Sequence, residues 1–137
     1  MRKYTREQWL DVRNKLKKNI IFIGGLCKFY PDDNKMLELF GILDDEVIDK
    51  FEEVLYSDHL RESDREPEWI RMFYRDYTID DEYRNYVREG QLQESETVPI
   101  LKDVYNMVDA ILVTFNKYNE LLTETKDLTN TLIERYG

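Results

Sequence analysis

The last third of this chain constrains everything that precedes it. Apolar or semi-polar residues recur there at steps of three and four: Leu101, Val104, Val108, Ile111, Phe115, Tyr118, Leu122, Thr125, Thr129, Leu132 and Tyr136. That is a heptad seam. Pro99 suits a first helical turn, where its missing N–H has no partner to lose, and no Gly or Pro follows until Gly137. The spacing therefore predicts one amphipathic helix over 99–136. Such a rod spans about 55 Å, whereas a domain of this size has a radius of gyration of about 14–15 Å. Either a kink folds it back, or its distal half protrudes and offers Leu121, Leu122, Leu128, Leu132 and Ile133 to a second copy. A homodimer is the simpler expectation, because an exposed apolar stripe of that length invites aggregation.

Upstream, the pattern is helical and punctuated. Thr5-Arg6-Glu7-Gln8 matches a capping box and opens a helix with Trp9, Val12, Leu16, Ile20 and Ile23 on one face and Arg13, Lys15, Lys17 and Lys18 on the other. Gly24-Gly25 is expected to end it. Asp32 or Asp33 can cap a short helix that carries Met36, Leu37 and Phe40 inward and stops at Gly41. Asp44 can cap a third, about 45–60, with Val47, Ile48, Phe51, Val54 and Leu55 as its stripe. Pro67 restarts a helix bearing Trp69, Ile70, Phe73 and Tyr77. Thr78 or Asp80 caps another with Tyr83, Tyr86 and Val87, closed by Gly90, and 91–98 is a loop. No stretch sustains period-two alternation, so the expected class is all-α. The architecture expected is a single domain over 1–137, with about five short to medium helices packed on one long C-terminal helix.

Charge narrows the function. Twenty-nine acidic against twenty basic residues give −9, while an apolar content of 42% supports a folded core. Residues 1–35 carry a net +5 and the remainder a net −14. An acidic body repels nucleic acid and attracts a basic protein surface, so the expected partner is a protein, with no direct nucleic acid and no membrane. Cys27 has no second cysteine to bridge to, and the charged start does not resemble a signal peptide, which together suggest a cytoplasmic protein.

The densest chemical feature is the run of twelve carboxylates from Glu38 to Glu68, faced only by Lys50, Arg61 and Arg65. Asp45, Asp49, Glu52 and Glu53 recur at steps of three and four, which lines their carboxylates along one helical face. A solvated face is the bland explanation. The sharper one is an imitation of a phosphate ladder that covers a basic groove, with Tyr56, Arg71 and Tyr74 as further contacts, since Tyr and Arg dominate protein interfaces. An alternative is a magnesium-dependent all-helical nucleotide pyrophosphohydrolase using Glu46 and Asp49, but Asp103 and Asp109, six apart, make a poor second pair. His59 and Cys27 cannot form a zinc site by themselves, and no nucleophile motif surrounds either. Gly24-Gly25 with Lys28 lacks the spacing and ending of a phosphate loop. The basic first helix most simply neutralises the acidic third. The expectation is a non-catalytic inhibitor or regulator without cofactor or metal; scaffolding through the C-terminal helix is a third reading.

Overall fold

The computed structural model describes residues 6–54 and 80–137. The expected cap at Thr5, the helix after Pro67 and the cap at Thr78 lie outside them. The described residues form helices with no strand among them, so the all-α class holds.

α1 (Arg6–Phe29) buries Trp9, Leu16, Ile20, Ile23 and Leu26 along one face. It runs straight through Gly24-Gly25 instead of stopping there. The glycines serve contact rather than termination: a Cβ at Gly24 would stand 2.9 Å from Phe40, and one at Gly25 only 2.7 Å from Leu92 and 2.9 Å from Val87. Neighbouring segments thus approach the α1 backbone more closely than any side chain permits.

α2 (Asn34–Ile42) begins at Asp33, whose carboxylate accepts from the Lys35 and Met36 N–H groups at 3.0 and 3.3 Å. Met36 and Leu39 turn inward, whereas Leu37, expected inside, is 47% exposed. Gly41 does not end the helix either. One π-helical turn (Leu43–Val47) carries α2 into α3 (Ile48–Val54), so Asp44 lies within a continuous helical run and caps nothing. The apolar pattern explains the wide turn. Leu39, Leu43, Val47 and Phe51 are four apart and all essentially buried, yet three steps of four overshoot a regular helix by about 120°. A turn that absorbs an extra residue returns them to one side.

Residues 80–88 are helical and are labelled α4. Gly90 ends it at φ +74°, with the Gly90 N–H donating to the Val87 carbonyl and the Gln91 N–H to the Tyr86 carbonyl, both at 3.1 Å. A 3₁₀ turn (Glu94–Glu96) then leads into α5 (Thr97–Phe115).

The expected rod over 99–136 is broken. α5 ends at Asn116 (φ 49°), a left-handed cap whose N–H donates to the Leu112 carbonyl at 3.1 Å. Tyr118 is also left-handed (φ 57°), and α6 (Asn119–Tyr136) runs back along α5. Asn tolerates this backbone region better than other side chains, and that local signal is masked in sequence by the unbroken seam. The seam is really two facing stripes. Leu101, Val104, Val108 and Ile111 on α5 are buried together with Leu122, Thr125, Thr129 and Leu132 on α6. The buried Thr hydroxyls donate back to carbonyls four residues earlier, Thr125 to Leu121 at 2.8 Å and Thr129 to Thr125 at 2.6 Å, leaving no orphan donor.

The residues expected at a dimer seam are correspondingly occupied within the chain. Leu132 is fully buried, and Leu121, Leu128 and Ile133 are half-buried against the same core. Packing the stripe internally removes the geometric reason for a second copy. At the other end of the bundle, Trp9 of α1 sits 4.9 Å from Phe115 and 6.0 Å from Phe51, centroid to centroid, so three helices meet on one aromatic cluster.

Candidate functional site

The acidic face that was expected to carry function lies on the α2–α3 run, and the fold divides it in two. Glu52 and Glu53 face other parts of the chain. Glu52 accepts from Arg13 of α1 at 3.1 Å, and Arg13 is only 5% exposed, so the pair is largely withdrawn from water. Glu53 accepts from the Tyr118 hydroxyl at 3.1 Å and lies 3.6 Å from Lys50. Lys17 reaches Asp80 on α4 at 3.0 Å. The expectation that the basic first helix neutralises the acidic third thus holds for Arg13, whereas Lys17 turns to α4 instead.

Asp45 and Asp49 remain as expected, exposed at the surface, and Asp44 and Glu46 join them. The π-helical turn that brings Leu43 and Val47 inward holds Asp44, Asp45 and Glu46 outward between them. These four carboxylates have no cation partner among the described residues. Beside them a cleft of about 270 Å³ opens between α1, α3 and α4, with Asp44, Asp49, Glu52 and Asp80 in its walls and Lys17 and Arg84 at its edge. The remaining proposed contacts, Tyr56, Arg71 and Tyr74, and the single histidine, His59, lie outside the described residues.

Nothing among the described residues gathers three or more His, Cys, Asp or Glu in a metal-holding geometry. Of the second acid pair considered for magnesium, Asp109 is engaged by Lys126 of α6 at 2.7 Å, while Asp103 is exposed on a groove between α1 and α5. Cys27 is half-buried, and burial, followed by the nearby Asp33 charge, pushes its thiol up, away from an activated thiolate.

A second polar cluster was only half legible in sequence. Besides capping α2, Asp33 receives the Arg135 guanidinium at 2.6 Å and the Tyr136 hydroxyl. Burial alone would raise the Asp33 carboxyl, but the hydrogen bonds from Tyr136, Arg135 and the Met36 N–H, with the Arg135 charge, hold it below its ordinary value. Burial and the bond to Asp33 push the Tyr136 phenol up to about 12. The Tyr136 ring also lies 4.3 Å from that of Tyr30. Asp33 carried the sequence signature of a cap; its partners, about a hundred residues distant, left no local mark.

No helix among the described residues is long and apolar enough to cross a membrane. No model of a known protein family matches the chain, and no curated protein or solved structure matches it.

Proposed function

We propose that this protein is a non-catalytic binding module that lays an acidic helical ledge on a basic surface of a partner protein and so blocks or regulates it. One observation carries the reading: Asp44, Asp45, Glu46 and Asp49 are exposed together on one helical run without a cation partner among the described residues, while adjacent Glu52, Glu53 and Asp80 have theirs. Clustered like charges repel one another, and a basic partner relieves that repulsion on binding. Complementary charge of this kind speeds and orients encounter, and it weakens as salt rises.

A surface that ordinarily holds phosphates is the natural counterpart to such a ledge. In this reading the protein acts in the cytoplasm as an inhibitor, comparable by size and charge with small phage antagonists and immunity proteins. Affinity capture from a host lysate, with Asp45→Lys/Asp49→Lys run in parallel, tests it. The native chain should retain a protein that salt elutes and that DNA or RNA displaces, and the double variant, still folded by thermal melting, should lose it. If both chains retain the same proteins equally, the ledge is a solvated surface and the reading fails.

A further inference from the structure

On the opposite side of α1 from the acidic cleft, a groove of about 380 Å³ runs between α1 and α5. That volume falls at the lower end of the range for small-molecule sites, about 300–1,000 Å³. Asn19 forms part of its wall. The residue is only 2% exposed, and its side-chain oxygen is buried without a hydrogen-bond partner. An asparagine inside a helix already has poor propensity, and an orphaned buried acceptor adds to the cost. A donor entering the groove would account for both.

The charges around Asn19 say what kind of donor. Lys15 and Lys18 line the α1 side; Asp103 and Asn106 line the α5 side. Among the described residues Lys15 is tied only to Asp11, in a surface pair with both side chains more than half exposed, and such pairs open at little cost. The Lys18 ammonium lies 5.8 Å from the Phe22 ring centroid and 6.0 Å from that of Tyr83, at the outer limit of a cation–π contact. Asp103 is exposed and has no ion-pair partner among the described residues. A simple anion would leave the Asn19 oxygen without a donor and would meet Asp103. A simple cation would meet two lysines. A molecule bearing both charges satisfies each wall.

We propose that this groove binds a small zwitterion of the α-amino acid class, its ammonium donating to the Asn19 oxygen and facing Asp103, its carboxylate facing Lys15 and Lys18. Val12, Met107 and Ala110 provide an apolar surface for the ligand's side chain. The site is independent of the acidic ledge, since Lys17, Ile20 and Ile21 of α1 border the cleft there while Lys15 and Asn19 border the groove here.

The test is a titration of the isotopically labelled full chain with individual proteinogenic amino acids, followed by NMR, with acetate and methylammonium as single-charge controls. At least one amino acid should give saturable shifts at Lys15, Lys18, the Asn19 side-chain amide and Asn106, and neither control should. Asn19→Leu, of similar size but without the acceptor, should weaken binding about tenfold or more, as should Asp103→Asn at the exposed rim. If Asn19→Leu fails to fold, Asp103→Asn decides. The proposal is overturned if no amino acid saturates, if acetate binds as well as the zwitterion, or if binding is unchanged in the folded variants.

Discussion

The Arg135 guanidinium lies 2.6 Å from the Asp33 carboxylate, joining the last turn of α6 to the N-cap of α2 across 102 residues. Asp33 therefore does two jobs with one side chain. It satisfies the first N–H groups of α2, and it anchors the end of the chain through Arg135 and Tyr136.

Acid should undo this anchor. The Asp33 carboxyl is depressed in the fold, so its contribution is fully present above an unfolded value of about 3.9 and is lost as pH falls through the lower folded one. Asp33→Ala should cost about 1–2 kcal/mol at neutral pH from the cap alone, and that deficit should shrink in acid. Denaturant melts of both chains from neutral pH downward check this; a constant gap would mean that the carboxylate charge is irrelevant.

Alkali should undo it from the other side. The Tyr136 phenol is raised to about 12, so its contribution is intact below an unfolded value of about 10 and declines as pH climbs through the folded one. Tyr136→Phe should remove a late tyrosinate step from an ultraviolet absorbance titration and flatten the alkaline loss of stability. A titration curve unaltered at its upper end would argue against the contact.

The α1–α3 ion pair predicts an asymmetric response. Glu52→Ala withdraws a partner from Arg13, which is 5% exposed, and should cost about 2 kcal/mol; a fully buried pair costs about 3–5. Asp45→Ala, at the exposed surface, should change stability by less than about 0.5 kcal/mol. Thermal melts that rank the two alike would place Arg13 in water.

Two glycines within helices should respond with opposite signs. Gly25→Ala drives a Cβ to 2.7 Å from Leu92 and should destabilise by about 1–3 kcal/mol despite alanine's better propensity. Gly41→Ala meets nothing within 4 Å and should stabilise by about 0.5–1 kcal/mol. Urea melts of the pair test the close packing of α1 directly.

The hairpin itself is measurable. Spin labels at exposed Lys102 and Asn130, on a chain with Cys27 replaced, would sit about 42 Å apart on a straight helix. The reversal at Asn116 and Tyr118 predicts a separation below about half of that. A long distance would restore the rod and, with it, the case for a dimer.

Local rules carried far in this chain. Helical periodicity found the class, Asp33 and Gly90 marked real helix ends, and the described members of the stripes on α1, α3 and α5 are buried where their spacing put them, except Val12 and Phe115, which are half-buried. These features depend on groups within a turn of one another, and a sequence displays such neighbours directly. Gly24, Gly25 and Gly41 misled for the converse reason, since a glycine that stops a helix and one that admits a close neighbour are written identically. Likewise a seam of threes and fours suits one long helix or two facing halves, and only a left-handed Asn116, with the burial gained when α6 returns along α5, decides between them. The acidic row was legible as charge; which carboxylates remain available was not. Arg13 and Tyr118, 39 and 65 residues from their partners, claim Glu52 and Glu53 and leave Asp44, Asp45, Glu46 and Asp49 to solvent. Pairing over such distances is settled by how helices pack, and the packing exists only once the chain has folded.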